Sequence, residues 1–378
     1  MAPAEKPIHL LHAFSTFAVG GPQTRFTSIA NALNGKYRHS VLAMDGNHAA
    51  KAGLDPKIDC RFETMPVVKS GGISIANLRN ARGVLRRTRP NLLCTYNWGA
   101  IEWSLANGLH PLCPQIHVED GFGPDESPDR QQRRRSMMRR LFLSRCVHVI
   151  VPSRVLYNVA VETWRLQASR VLYIPNGIDC ERFAAGAESS LVSELGISPS
   201  DLVIGTVAAL RPEKNLTRLL RVFAALPRDT PAKLVIVGDG PERARLESEA
   251  AQFAVADRVV FTGALAAPER ILGRFDIFGL SSDTEQMPNS VLEAMAASLP
   301  VIATDVGDLK RMLAPENASF VFAAGDEAAM VRGLASLSRD SSLRRGIGAQ
   351  NRNRVRAEYS LATMVARYDE VFGDSASR

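Results

Sequence analysis

The stretch Ser281–Pro300, SSDTEQMPNSVLEAMAASLP, places Glu285 and Glu293 eight positions apart around Met287-Pro288-Asn289-Ser290. Ahead of it, Ile277–Leu280 is a short apolar run suited to a buried strand. Behind it, Val291–Ala297 is rich in strong helix formers. The predicted order is strand, loop, helix, with Asn289 or Ser290 as the N-cap, Pro288 just before it, and Glu293 in the first turn. A helix start presents unpaired backbone N–H groups and a partial positive charge, which suit a phosphate. Two carboxylates there would repel an anion, so ribose or sugar hydroxyls are their better partners. Together these residues point to a nucleotide-sugar site on an α/β framework.

The same grammar runs outward through the second half. Strands are expected at Leu202–Val207, Lys233–Val237, Arg258–Phe261 and Val301–Ala303, alternating with helices at Leu216–Ala225, Glu242–Phe253 and Pro268–Phe275. Such alternation implies a doubly wound parallel sheet, and ligands collect at the carboxyl ends of its strands. Arg211 and Lys214 fall in the loop after Leu202–Val207, where a fork of N–H donors and a point charge suit a diphosphate. The turn Gly238-Asp239-Gly240-Pro241 allows a ligand or a neighbouring loop to come close, and Phe261-Thr262-Gly263 is placed to line a base pocket. Each signal alone is weak, since Arg-x-x-Lys is usually surface charge and GDGP usually a turn. Their common edge gives them weight.

The first half shows further strands at Ile8–Ala13, Ser40–Met44, Arg61–Met65, Asn91–Thr95, Gln115–Val118, Val147–Val151 and Val171–Ile174, with helices at Ile75–Arg89 and Ile101–Leu109. Gly20-Gly21 after the first strand permits close backbone approach, although for a lone Gly-Gly a plain βα turn is the better reading and it is not a GxGxxG fingerprint. The loops Tyr96–Gly99 and Glu119–Gly123 share that edge, with Asp120 either a ligand-facing carboxylate or a turn residue before Gly121. Between Arg130 and Arg145 stand seven arginines and no acid, interleaved with Met137, Met138, Leu141, Phe142 and Leu143. A helix there would carry a basic face for anionic lipid or a phosphate-bearing acceptor, or simply a solvated face. The Pro175-Asn176-Gly177 turn marks a boundary, giving domains at 1–175 and 176–360. A last helix at 361–378 either packs back on the first domain or caps the second.

The chain's 378 residues are long for one core, and 46% hydrophobic with 22% charged residues is ordinary for a globular protein. A net charge of +7 favours phosphate-bearing ligands or an anionic surface without requiring nucleic acid, for which no motif is found. Five scattered cysteines make neither a disulfide framework nor a zinc pattern. No apolar run reaches the ~20 residues of a membrane span. The N-terminal segment has no adequate apolar core for a secretory signal, so a cytoplasmic protein, soluble or peripheral on the membrane's inner face, is expected.

With IPNGID, Arg211-x-x-Lys214, GDGPER, FTG, Glu285-x7-Glu293 and PVIATDVG in place, the chain resembles the retaining glycosyltransferases of family 4. The resemblance is strongest from Pro175 to Thr304; VEDGFGPDE and the Arg-rich helix more loosely resemble members tied to exopolysaccharide synthesis. It implies a GT-B architecture, two facing Rossmann-like domains with a cleft between them. It implies that Arg211 and Lys214 neutralise the donor diphosphate, Glu293 holds the ribose and Glu285 the donor sugar. Backbone N–H groups of the segment Met287–Ser290, which Met287, Asn289 and Ser290 supply around Pro288, would surround phosphate and sugar, Gly21 would face the diphosphate, and Gly263's strand end would meet the base. No cofactor or metal is implied, the nucleoside diphosphate sugar being a co-substrate, and no Asp-x-Asp occurs. Three departures stand out: Gln286 for the usual Gly, Asp308 for a small residue, and Asp120 where relatives often carry His. An ionised Asp accepts from hydroxyls but cannot donate. Rival functions are a two-domain binding protein without chemistry and a phosphorylase or epimerase on the same fold.

Overall fold

Short runs rich in Val, Ile and Leu form the strands of two all-parallel sheets, whose burial on both faces demands near-continuous apolar sequence. The structure, a computed structural model, describes residues 7–68, 73–122 and 126–378, so Gly123, Pro124 and Asp125 of the VEDGFGPDE run lie outside the described residues. The chain divides into two compact units, Met1–Asn176 with Ala362–Arg378, and Gly177–Leu361.

In the first unit the strands are β1 Ile8–Phe14, β2 Tyr37–Ala43, β3 Cys60–Glu63, β4 Leu92–Tyr96, β5 Gln115–Val118, β6 His148–Val151 and β7 Val171–Tyr173. Their order is β3-β2-β1-β4-β5-β6-β7, so the winding reverses between β1 and β4. Connections leave the sheet in opposite directions there and open a crevice at the carboxyl edge. Gly99, just past β4, is needed for closeness: a Cβ on it would stand 2.5 Å from the Cβ of Ser15, just past β1. The helix Leu361–Ala376 belongs to this unit. Lys36 and Tyr37 bond Asp369 at 2.6 and 2.7 Å, and Phe372 meets the Tyr37 ring edge-on.

In the second unit the strands are β8 Leu202–Val207, β9 Ala232–Val237, β10 Val259–Gly263, β11 Ile277–Leu280, β12 Val301–Thr304 and β13 Val321–Phe322. The order β10-β9-β8-β11-β12-β13 puts its reversal between β8 and β11. Apolar layers cover the sheet on both faces, one including Phe275, Met295 and Leu309, the other Leu219, Phe223 and Leu334. The two-residue β13 is too short for any sequence period to reveal. The polar segment 184–200 holds the helix Ser189–Glu194, which Leu191, Val192 and Leu195 anchor to the core. Past β12 the chain adds the helices Glu327–Arg339 and Ser341–Glu358, capped by Asp326 and Asp340, which accept from Ala329 N and Leu343 N at 2.9 and 2.8 Å.

Candidate active site

The loops after β8 and β11 flank the reversal point of the second sheet and are laced together by backbone and side chain. Asp283 N donates to Glu213 O at 2.9 Å, and Ser281 Oγ to Lys214 O at 3.1 Å. Asn215, in the left-handed region at φ 42°, caps the helix Leu216–Ala224 and donates to both oxygens of Asp283. Arg218, a buried cation on that helix, donates to Ser281 O at 2.7 Å and pairs with Asp283 at 2.8 Å. The lacing brings Lys214 Nζ to 2.6 Å from Glu285 Oε1, which also accepts from Ser282 Oγ at 2.8 Å. Gly307 backs this loop from beyond β12. Its φ is 55°, and a Cβ would fall 2.5 Å from Glu285 O and 2.6 Å from Gln286 O. Asp308 N bonds Gln286 O at 3.0 Å, so two positions that depart from the family pattern meet through the backbone.

Arg211, four residues from the end of β8, is exposed and its guanidinium makes no bond among the described residues. Lys214 is thus the engaged cation of the loop and Arg211 the uncommitted one.

The helix after β11 runs Asn289–Ala296 and corrects two expectations. Pro288, extended at ψ 123°, is its N-cap, and neither Asn289 nor Ser290 caps with its side chain. Proline has no N–H to satisfy and a preset φ, so it can hand the chain straight into the first turn. Glu293 consequently lies in the second turn. Asn289 Oδ1 is buried with no hydrogen-bond partner. The Glu293 carboxylate makes no direct bond among the described residues, and burial pushes its pKa up to about 7, with Arg182 opposing and Glu269 adding to the rise. Met287 and Pro288 are buried beneath this start.

Gly238 and Gly240 serve a neighbouring loop. Their Cβ atoms would strike Ala208 O at 1.8 Å and Leu210 O at 2.5 Å, so the turn is the bed on which the Arg211 loop rests. Gly263, at φ 73°, ends β10 and receives Gly238 N at 2.9 Å. It therefore stands two strands from the Lys214–Glu285 pair.

Gly21 and Asp120 belong to the first unit. Gly21 opens the helix Gly21–Ala32 with free space where its Cβ would be. Asp120 is no free hydroxyl acceptor: Arg25 holds its two oxygens at 2.5 and 2.8 Å and also bonds Asn176 Oδ1 at 2.9 Å. Burial would lower the Arg25 pKa, but Asp120 outweighs it and the net shift is upward. Asn97 Oδ1 fixes the Asp120 backbone N–H at 2.7 Å. Arg25 was missed although it carries a signal, a cation flanked by Phe26 and Ile29 on an apolar helix face.

The Arg-rich helix, Arg133–Leu143, is also not uniformly solvated. Arg139 is fully buried, lies between the rings of Trp98 and Trp164, and forks onto Glu126 at 3.2 and 3.1 Å. Burial works against the Glu126 carboxylate, yet Arg139 outweighs it and keeps its pKa below the ordinary value. The pair lets one arginine enter the core because its charge and its planar face are both satisfied.

Chemically, the second unit offers a helix start with spare N–H groups, two cations, and two carboxylates with capacity to accept. Among the described residues no group of three or more His, Cys, Asp or Glu side chains converges as a metal site would. Residues 19–182 match the model described as Glycosyltransferase Family 4, and residues 190–354 the one described as Glycosyl transferases group 1. The chain is 27% identical to N-acetyl-alpha-D-glucosaminyl L-malate synthase of Bacillus anthracis over 49% of each chain. It is also 27% identical to 2-deoxystreptamine N-acetyl-D-glucosaminyltransferase of Streptomyces fradiae over 72% of this chain and 68% of that one. With the first of these the match spans about half the relative's length. In fold, it superposes on the Anabaena protein HepE, solved with UDP and glucose, with TM-score 0.83 and 18% identity over 97% of this chain and 100% of that one. The two adjoining family models, over residues 19–182 and 190–354, place the chain in glycosyltransferase family 4, and its two sheets, wound alike, have the GT-B fold.

Proposed function

We propose that the protein is a metal-independent retaining glycosyltransferase that moves a sugar from a nucleoside diphosphate sugar to a carbohydrate or lipid-linked acceptor in polysaccharide or glycolipid synthesis. The observation that carries this is the Lys214–Glu285 pair beside the helix start at Asn289, at the reversal point of the second sheet. Lys214 and Arg211 would neutralise the diphosphate as the bond from its oxygen to the anomeric carbon breaks. Preorganised charge where charge develops is commonly the largest catalytic contribution. The acceptor hydroxyl would attack from the face the diphosphate leaves and pass its proton to the departing phosphate oxygen. Glu285, fixed by Lys214 and Ser282, would accept from donor-sugar hydroxyls. Glu293 would accept from the ribose. The start of the helix, Met287 to Ser290 with Asn289 Oδ1 unpartnered, would take phosphate and sugar oxygens and hydroxyls. Gly263 would approach the base and Gly21 the diphosphate. Asp120 would keep one lone pair on each oxygen for hydroxyls, because Arg25 takes only one of the two on each.

HepE was solved with UDP and glucose, which makes UDP-sugars the first donors to test. A thermal-shift screen of UDP-, GDP- and ADP-sugars should find one that raises the melting temperature by several degrees when present at ~100 times its Kd. No shift and no slow hydrolysis with any of them would overturn the proposal.

The proposal extends to a membrane-apposed location. The outer side of Arg133–Leu143 exposes Met137 (66%) and Leu141 (61%) beside Arg133 and Arg140, which have no partner among the described residues. Basic residues near an anionic bilayer contribute ~1 kcal/mol each. Co-sedimentation with phosphatidylglycerol but not phosphatidylcholine vesicles, lost in the Arg133→Gln, Arg140→Gln double variant, is expected. Absence of binding at low salt would refute it. No helix among the described residues is long and apolar enough to cross a membrane.

A further inference from the structure

Residues 177–361, the second unit, contain no histidine; all seven in the chain stand between His9 and His148. A group of this unit that titrates near neutral pH must therefore have a shifted pKa. Glu293 is such a group. Burial pushes its carboxyl up to about 7, and two charges on neighbouring helices modify the rise, Arg182 opposing it and Glu269 adding to it. Both stand on short helices, Cys180–Ala184 and Glu269–Leu272. Phe183, Ile271 and Leu272 of those helices share one apolar cluster with Leu292 and Ala296 of the helix that carries Glu293.

The two charges are tied to each other, and unevenly. Arg182 Nε and Nη2 both meet Glu269 Oε1, at 2.7 Å each. Glu269 Oε2 is buried with no hydrogen-bond partner, and Arg182 Nη1 is uncommitted among the described residues. One guanidinium with a spare edge thus stands between two carboxylates, and Glu293 has no direct bond to it. The other charges around the helix Asn289–Ala296 are engaged elsewhere. β11 and β12, packed against it, have no titratable side chain. Arg356 of the helix Ser341–Glu358 bonds Glu181 at 2.6 Å, Arg352 bears on the Cys180 thiol, and Lys214 holds Glu285. An arginine given wholly to Glu293 would grip it as Arg25 grips Asp120. With no arginine, burial would keep the carboxyl protonated and a poorer acceptor for hydroxyls.

We propose that Arg182 and Glu269 are positioning residues for the donor: by dividing one guanidinium between two carboxylates they keep Glu293 unbonded and set the acidity at which it becomes the acceptor for the ribose. The inference rests on the ribose reading of Glu293 for its function, whereas the division of charge can be read without any donor.

The experiment follows two readouts of the full chain from about pH 5 to 9 at low salt, where charge effects are least screened. One is affinity for whichever UDP-, GDP- or ADP-sugar gives the thermal shift; the other is the urea midpoint without donor. In the wild type the rise in affinity is centred near pH 7. Arg182→Gln removes the opposing cation, so the centre should move up by about 0.5–1 unit. Glu269→Gln removes the reinforcing carboxylate and frees Arg182, so the centre should move down by about 1 unit. The double variant Arg182→Gln, Glu269→Gln keeps the shapes, removes both charges and should bring the centre back towards that of the wild type. The pH at which stability linked to Glu293 is lost should move in the same direction in each variant. On a Glu293→Gln background none of these changes should move either readout. A pair that only braces the helices would weaken both single variants alike and shift neither profile. Centres that stay in place, or move the same way in the two single variants, overturn the proposal, as do shifts that persist without Glu293. Opposite shifts of the urea profile, with every nucleotide sugar inert, would remove the ribose reading and leave the division of charge standing.

Discussion

Lys214–Glu285 in the second unit and Arg25–Asp120 in the first close at 2.6 and 2.5 Å, each with its carboxylate just beyond the carboxyl end of a strand. Their surroundings make them different devices. The lysine side chain is 24% exposed and offers one point of contact, and its partner also leans on the Ser282 hydroxyl. Arg25 is 5% exposed, grips two oxygens, and reaches Asn176 with the same guanidinium. A Lys–Glu pair open to water on its lysine side is screened there and exchanges more readily for a ligand's oxygens than a buried one. A buried bidentate pair cannot give up one member without stranding the other. The first arrangement suits a site that must rearrange around a substrate, and the second fixes the backbone carrying a loop.

The sharpest way to break this contrast is Arg25→Ala. It strands Asp120 and should cost about 3–5 kcal/mol, read as a lower urea midpoint, whereas the Arg25→Met, Asp120→Leu double variant should recover much of the loss. Equal stability of Arg25→Ala and wild type would make the two pairs alike. Next in size, Lys214→Ala and Glu285→Ala should lower donor turnover by about 10²–10³-fold while the urea midpoint barely moves. A large stability loss without a matching loss of activity would turn this pair into a structural one. A smaller effect is expected of Gly307→Ala. Its Cβ would press on Glu285 O and Gln286 O in a left-handed backbone costing ~1–2 kcal/mol, so the Glu285 loop should shift and turnover fall about 10-fold. An unchanged rate would show that Glu285 needs no support from beyond β12.

The gentlest test is pH. Burial raises the Glu293 pKa in the folded chain from 4.5 to about 7, so the folded state holds an extra proton between those values. The stability linked to Glu293 is therefore full below about pH 4.5 and is lost as pH rises through about 7. Donor affinity should move the opposite way, rising several-fold from pH 6 to 8 as an ionised carboxylate becomes able to accept from two hydroxyls. Glu293→Gln should flatten that profile, and a persistent slope in the variant would detach it from Glu293.

The sequence made the second unit legible because each of its site residues follows a short apolar strand, a period that needs no neighbours to be read. Strand order and loop position alone assign Arg211, Lys214, Glu285 and Glu293 to one sheet edge. The helix starts one or two residues earlier than its polar residues suggest, because a polar side chain after proline looks like a cap, whereas Pro288 itself has the extended backbone of one. In the first unit the same rules found the strands but not the electrostatics. Nothing local distinguishes Arg139 from the six other arginines around it, or ties Arg25 to Asp120 across 95 positions.

Composition and spacing by themselves determined an α/β chain with parallel sheets and the charged side chains that follow β8 and β11, since strand period, loop position and residue charge are properties of short segments. Tertiary structure alone decided which charges are spent and which are free. Arg139 and Arg25 are neutralised in the core, while Arg211 and Arg134 remain uncommitted among the described residues. That partition depends on distances between segments remote in sequence, where desolvation and pairing are set by packing.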